Sequence, residues 1–142
     1  MLASTVRLAP LALRLLLGLI FIVHGTIKLL NLGMSTRVFA QLGIPLPAVA
    51  TPAVASLEVI GGLALLAGFA VNIFTILLVI MMIVAIWTAK RNAGFVGGYE
   101  FDLLIIAALV SLFLSGPGKW TLWQPNLGRR NRGWKRRRSV GA

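Results

Sequence analysis

The residues of this sequence that could carry chemistry are few, and most of them lie in or beside apolar runs. The chain contains three acidic residues and one histidine, which are Glu58, Glu100, Asp102 and His24. Glu58 interrupts a long apolar stretch, and a charged side chain inside a membrane helix costs about 2.5–3.5 kcal/mol on insertion scales. Such a side chain normally faces protein and has a partner. Lys28, one helical turn beyond His24, is the cation that we expect to meet it.

These polar residues admit a functional interpretation. They would form an intramembrane site that relays protons, binds a quinone headgroup or binds a small polar ligand. The candidate site residues are Glu58, Lys28, His24, Glu100, Asp102 and Arg14. A proton relay and a ligand pocket both need ionisable groups at a common depth, and we expect all of these except Arg14 to share one end of the bundle.

A structural interpretation stands beside it. Glu58 would pair with Lys28, and Asp102 would pair with Lys90 or Arg91, only to fix the packing of helices. A lone histidine is typically a hydrogen-bonded interior residue, and with one histidine per chain bis-histidine haem ligation within the chain is excluded. The sequence alone leaves both interpretations open.

The composition predicts the class of protein that holds these residues in place. The chain has 142 residues, of which 58% are hydrophobic and 12% charged, and its mean hydropathy is +0.93. A soluble domain of this size needs more polar surface, so an integral membrane protein of one domain is predicted. The absence of cysteine excludes disulfides, thiolate metal sites and iron–sulfur ligation by this chain, and we expect no metal site.

Four apolar runs predict an all-α integral membrane four-helix bundle, because each approaches the length of about 20 residues that a span requires. The predicted spans are residues 8–30, 52–68, 72–88 and 99–115. Together they make a transmembrane domain over residues 1–123. Residues 124–142 are rich in Arg, Lys, Gly and Asn, and a disordered basic tail is expected there.

Small residues mark the faces on which the helices are expected to pack. Gly61 and Gly62 follow Glu58 by about one helical turn, so they share its face and let a second backbone approach. In the first span, a stripe at spacings of three and four contains Arg14, Gly18, Phe21, Gly25 and Lys28. The helix-packing glycines predicted in this way are Gly18, Gly25, Gly61, Gly62 and Gly68.

The net charge of +11 is mostly local. Eight of the 14 basic residues follow Gly118, and they include Arg136, Arg137 and Arg138. The predicted spans put ten basic residues on one side and four on the other, so both termini are expected in the cytoplasm and the chain in the inner (plasma) membrane. Trp120 and Trp123 are expected to anchor the interface, and the tail is expected to contact anionic lipid rather than nucleic acid.

Several motifs in order resemble the DoxX family of small membrane proteins. They are Arg14 with Gly18 and Phe21, His24-Gly25 with Lys28, Phe39 with Gly43-Ile-Pro45, Glu58 with Gly61-Gly62 and Gly68, Gly97-Gly98-Tyr99-Glu100, and Gly116-Pro-Gly118. The resemblance covers residues 7–122. It implies a four-helix membrane protein from a family linked to terminal quinol oxidases, thiosulfate:quinone oxidoreduction and membrane oxidoreductase complexes. Its recurrent polar positions match Arg14, Lys28, Glu58 and Glu100.

Two functions follow from the residues and the resemblance together. The first is a subunit of a quinone-linked or other membrane redox complex, in which the polar cluster contacts a quinone headgroup or moves protons. The bound cofactor would be a quinone, with none covalently attached, and any electron carrier would come from a partner. The second is a non-catalytic accessory subunit that packs against other membrane subunits, or a second copy, through the uncharged third span. The absence of an evident inverted repeat argues against a small-molecule transporter.

Overall fold

Helices alone make up the described secondary structure. The computed structural model describes residues 8–90, 92–118 and 120–125. The helices are α1 (Ala9–Leu30), α2 (Leu32–Gln41), α3 (Pro47–Ala67), α4 (Val71–Ala85) and α5 (Glu100–Ser115). A π-helical segment, Ile86–Lys90, continues α4, and the segment Phe95–Tyr99, whose backbone is not helical at Val96 and Gly97, leads into α5. The described residues contain no β-strand, and the predicted all-α class is confirmed.

The predicted membrane architecture is also confirmed. Within the described residues, four helices are long and apolar enough to cross a bilayer, and they are Ala9–Leu30, Pro47–Ala67, Val71–Lys90 and Phe95–Ser115. In the fourth span, 17% of the residues in the most apolar 18-residue window are buried, which is the lowest share of the four. The third span has the next lowest share, 22%. α4 packs on both α3 and α5, and α5 packs on both α4 and α1.

Prolines set where the first two spans begin. Pro10 lies in the first turn of α1, and Pro47 in that of α3, where the absent N–H costs no helical hydrogen bond. α3 thus begins at Pro47 rather than near residue 52, after Leu46 adopts a left-handed φ of 49°. Pro52 lies inside the helix, where it removes one hydrogen bond close to the start.

A tight turn at Gly68 reverses the chain between α3 and α4. Gly68 has a φ of 70°, a left-handed conformation that favours glycine. The N–H of Phe69 donates to the carbonyl of Ala64 at 2.9 Å, which satisfies a carbonyl left free at the end of α3. One short turn therefore divides an apolar run that is too long for a single span.

The core lies where α1, α3, α4 and α5 meet. Its buried residues are Leu17, Phe21, Leu65, Val71, Leu78, Met82, Ile105, Leu109 and Leu112. α1 makes its most extensive packing with α3. A Cβ added to Gly62 would lie 2.6 Å from the carbonyl oxygen of Gly18, so these two backbones are in direct contact. Because lipid tails are as apolar as leucine, such close backbone packing is a main source of helix association in a membrane.

Candidate functional site

An apolar cavity of about 620 Å³ lies at one end of the bundle. Its wall comes from the C-terminal half of α1, the N-terminal half of α3, the end of α4 and the start of α5. Phe39 and Leu42, from α2 and the residue after it, complete the wall. We call this the cavity end of the bundle. The few ionisable side chains in the wall are His24, Lys28, Glu58, Lys90 and Asp102.

The first ion pair in the cavity wall joins α1 to α3. Lys28 Nζ donates to Glu58 Oε1. The Glu58 side chain is 6% exposed and that of Lys28 is 28% exposed. Glu58 Oε2 is buried and has no hydrogen-bond partner among the described residues. Lys28 therefore holds the carboxylate at one oxygen, and the other oxygen is enclosed by the protein.

The second ion pair joins the end of α4 to α5. Lys90 Nζ donates to Asp102 Oδ2 at 2.5 Å. Both members are more exposed than Glu58, with 40% of the Lys90 side chain and 13% of the Asp102 side chain accessible. Lys90 is the last residue of the π-helical segment Ile86–Lys90, which continues α4. This extension lets Lys90 reach Asp102 in the first turn of α5.

His24 and Glu100 both lie at the cavity end of the bundle, in different surroundings. His24 is exposed along the cavity wall, not a hydrogen-bonded interior residue, because it points away from the α1–α3 contact that buries Gly25. Glu100 lies outside the cavity, and its Oε1 accepts the N–H of Gly97 at 2.9 Å. Gly97 has a φ of 73°, and this bond closes the turn before α5. The structure brings His24, Lys28, Glu58 and Asp102 to one cavity and leaves Glu100 at its outer rim.

Arg14 forms a separate structural centre at the opposite end of the bundle. It is 1% exposed, and its guanidinium donates to several backbone carbonyls. Nε bonds to Leu65 O at 2.8 Å, Nη1 to Pro117 O at 2.7 Å, and Nη2 to Leu66 O at 3.1 Å and Trp120 O at 3.2 Å. Arg14 thus ties the end of α3 to the segment that follows α5, and it is remote from the cavity.

The segment after α5 folds back over this end of the bundle. The N–H of Ala70 donates to the carbonyl of Trp123 at 2.8 Å, and the Trp123 ring stacks on Phe69 with centroids 5.4 Å apart. The Trp123 side chain therefore holds the α3–α4 turn, beside any interfacial role. Trp120 is 83% exposed, and the other predicted lipid-contact residues, Arg136, Arg137 and Arg138, lie outside the described residues.

The remaining predicted glycines all lie at close approaches. A Cβ on Gly25 would lie 2.7 Å from the carbonyl oxygen of Ala55, and one on Gly61 would lie 3.2 Å from the Leu78 side chain. A Cβ on Gly68 would lie 2.6 Å from Arg14 Nη2, so only glycine leaves room for the guanidinium there. The close contact at Gly25 sets the spacing of α1 and α3 beside the Lys28–Glu58 pair.

Comparison with known proteins places these features in a family. The model of the DoxX family matches residues 9–91, which include both sides of the α1–α3 interface and the first ion pair. The chain belongs to the DoxX family. It is 35% identical over 110 residues to "Putative oxidoreductase CatD" of Bacillus subtilis, which covers 78% of this chain and 81% of that protein.

A second relative comes from Mycobacterium tuberculosis and is described as an uncharacterized membrane protein. It is 30% identical over 128 residues, covering 79% of this chain and 77% of that one. No solved structure matches the chain at a significant level. This DoxX protein is thus a membrane protein with four candidate spans in the part of the chain that the structure describes, and one relative carries the name "Putative oxidoreductase".

Sequence reasoning missed two parts of the arrangement in this DoxX protein. The carbonyl groups around Arg14 are backbone atoms, and no side-chain pattern could have indicated them. The contribution of α2 to the cavity had a weak signal, since Phe39 and Leu42 are spaced for one helical face. Together the wall offers ammonium donors and one buried carboxylate acceptor in apolar surroundings, which suits a ligand with an apolar body and a small polar head.

Proposed function

We propose that this DoxX protein is a membrane subunit of a quinone-linked redox complex and that its cavity binds the quinone headgroup. The observation that carries the proposal is the Lys28–Glu58 pair, whose carboxylate side chain is buried in the wall of an apolar cavity. Charged groups inside a membrane bundle are expensive to keep there, and they commonly mark a ligand or proton path. The relative named an oxidoreductase agrees with a redox role.

The cavity has the size and chemistry for such a headgroup. Its volume of about 620 Å³ falls in the range of about 300–1,000 Å³ that is usual for ligand pockets. Lys28 and Lys90 each use one N–H in an ion pair and retain others that can donate to a carbonyl oxygen of the quinone. Apolar walls from α3 and α4 would hold the ring and exclude water. A bound quinone would supply the transfer of two electrons and two protons.

The positive-inside rule supplies the orientation. We propose that the chain lies in the plasma membrane with both termini in the cytoplasm, which puts the Arg14 end inside and the cavity end near the outer face. The titratable wall residues Glu58 and Asp102 would then exchange protons with the outer side. The four spans contact lipid, and other membrane subunits would supply the electron path.

Filling the cavity tests this function. Ala85 lines the cavity, and Ala107 on α5 is exposed and does not line it. We expect Ala85→Phe to lower the affinity of the protein in lipid nanodiscs for a short-chain benzoquinone by about tenfold or more, through loss of the space for the ring. Ala107→Phe, which adds the same side chain toward lipid, should bind like the unchanged protein. Equal affinity for all three proteins would overturn the proposal.

A second candidate function is an accessory subunit without a ligand. The low burial of the third and fourth spans favours the accessory role. Only 22% and 17% of the residues in their most apolar windows are buried. Much apolar helix surface is therefore available for contact with another membrane protein. Copurification from native membranes separates the two. A stable partner, with no quinone in the lipid extract and no quinone binding, would support the accessory role.

A further inference from the structure

The cavity reaches the lipid-facing side of α4. Ile80 lines it and is 54% exposed. Ile80 follows the buried core residue Leu78 by two positions, which at 3.6 residues per turn is a rotation of about 200° around the helix. Leu77 and Val84, at spacings of three and four from Ile80, are also exposed wall residues. The wall therefore extends from the core around one flank of α4 to the surface that meets lipid.

α3 supplies the opposite side of this opening. Ala50, Val54 and Leu57 line the cavity at spacings of four and three, so they share one face of α3. Gly61 continues that face by four positions, and a Cβ there would lie 3.2 Å from the Leu78 side chain. The two helices are thus in contact at Gly61 and Leu78, and the cavity lies between them from there to the cavity end.

The wall along α4 changes from apolar to charged along its length. It begins at Leu77 and ends at Lys90, 13 positions later, which is about 20 Å at 1.5 Å per residue. Half of the hydrocarbon core of a bilayer is about 15 Å thick. Lys90 ends its helical segment, and Lys28 lies in the last turn of α1, so both ammonium groups are near the membrane surface while the apolar wall extends toward the middle. An amphiphile of the bilayer has the same order of polar head and apolar chain.

The polar surface that a ligand meets in this wall is mainly that of ammonium groups. In each ion pair the lysine is the more exposed member, with 28% for Lys28 against 6% for Glu58 and 40% for Lys90 against 13% for Asp102. The charges of each pair balance, but the carboxylates are the covered members. Each ammonium group retains N–H groups that can donate. The wall therefore favours a head that accepts hydrogen bonds and carries negative charge.

We propose that the cavity binds the anion of a long-chain fatty acid. Its carboxylate accepts from the exposed ammonium groups of the wall, and its acyl chain lies between α3 and α4 beside Ile80. The acid enters from the lipid through the gap between these helices. The inference goes beyond the proposed function, because the head follows from the exposed members of the ion pairs and the chain follows from the depth of the wall. A quinone headgroup and a fatty acid would compete for this cavity.

The head is tested by competition on the full chain in phosphatidylcholine nanodiscs, at an alkaline pH that ionises the acid. The probe is a palmitic acid analogue with a photoreactive diazirine in its chain, and the competitors are palmitic acid and its methyl ester at equal mole fractions in the bilayer. We expect palmitic acid to displace the probe about 10- to 100-fold better, because the ester keeps the chain and loses the charged acceptor. Equal displacement by the ester would overturn the inference. Displacement by phosphatidylglycerol as strong as that by palmitic acid would also overturn it, and would show that a phospholipid occupies the cavity.

A pair of identical substitutions tests the position of the chain. Ile80 and Ile83 are 54% and 53% exposed on α4, and Ile83 does not line the cavity. We expect Ile80→Trp to lower photolabelling by the probe about tenfold or more, because the indole fills the gap beside α3. Ile83→Trp adds the same side chain toward lipid and should leave photolabelling unchanged. Equal labelling of the two variants would overturn the inference.

Two further outcomes are decisive. If Ile80→Trp does not fold, the comparison of palmitic acid with its methyl ester on the unchanged protein decides. Binding of a short-chain benzoquinone without specific photolabelling by the fatty acid probe would overturn the inference and leave the proposed function standing. Specific photolabelling without benzoquinone binding would support the inference and remove the proposed function.

Discussion

Lys28 and Glu58 are unequal partners in their ion pair. The Lys28 side chain is 28% exposed, whereas that of Glu58 is 6% exposed. A lysine that loses its partner can extend its ammonium group toward the membrane surface along its own methylene chain. A glutamate on the inner side of the pair cannot do so. The two single substitutions should therefore have different costs.

Removing the lysine should be the costly change. We expect Lys28→Met to lower the free energy of unfolding by about 3–5 kcal/mol, because it leaves a buried carboxylate without its cation. Glu58→Gln should cost less than about 2 kcal/mol, since one charge-assisted hydrogen bond is lost and Lys28 can turn outward. Steric trapping in bicelles measures both. The double variant should recover most of the loss in Lys28→Met.

Arg37→Met is the matched control for the lysine change, because Arg37 is exposed on α2 and takes part in no described ion pair. It should alter stability by no more than about 0.5 kcal/mol. If Lys28→Met is as stable as the unchanged protein, the ion pair does not stabilise the bundle in the membrane.

The contact of Gly18 with Gly62 predicts intolerance to a single methyl group. Gly62→Ala places a Cβ 2.6 Å from the Gly18 carbonyl, which is backbone and cannot rotate away. We expect a loss of about 1–3 kcal/mol as α1 and α3 are forced apart. Gly33→Ala is the control, since a Cβ there meets nothing within 4 Å on α2. It should be neutral or stabilising by up to about 1 kcal/mol. Equal effects of the two changes would contradict the close contact.

The carbonyl contacts of Arg14 predict that lysine cannot replace it. A lysine has one nitrogen where the guanidinium reaches the carbonyls of both Leu65 and Pro117. We expect Arg14→Lys to cost about 3 kcal/mol or more, with release of the segment after α5. Amide exchange reports that release directly, because the Ala70 N–H donates to Trp123 and should lose protection. Arg37→Lys, the same change on an exposed side chain, should leave the Ala70 amide protected.

Topology has a direct labelling test. Cysteine placed at Ser35 on α2 should react with a membrane-impermeant maleimide in intact cells, and the sequence has no other cysteine to interfere. Cysteine at Ser139, which lies outside the described residues, should react only after the cells are opened. Labelling at Ser139 alone in intact cells would reverse the proposed orientation and place the cavity end inside.

The basic tail should act through charge alone. Replacing its seven basic residues between Arg129 and Arg138 with glutamine keeps the length and removes the cations. We expect binding to anionic liposomes to weaken by about 1 kcal/mol per residue at low salt, with the difference fading as salt is added. The stability of the inserted bundle should not change. Tight, salt-insensitive binding of the unchanged tail to one RNA or DNA sequence would show a different role.

Sequence alone determined the class of the protein and its helix-packing face. Apolar run length follows from bilayer thickness, and glycine on one helical face follows from the period of 3.6 residues, so both are local properties. The same logic singled out Glu58 and its pairing with Lys28 as one of two open interpretations, because a charge in a membrane needs a partner. The ion pair is present in the fold, and the structure adds that it lies in a cavity wall.

Tertiary structure alone decided which polar residues meet. Glu100 and Asp102 are two positions apart in the sequence, yet only Asp102 faces the cavity, because the turn at Gly97 sets the rotation at which α5 begins. Arg14 resembles a site residue by its charge and burial, and it is bound by carbonyls that become available only where α3 and α5 end. The burial of Glu58 Oε2 without a hydrogen-bond partner among the described residues likewise depends on how the helices pack around it. Such facts come from distances between helices, which no local pattern encodes.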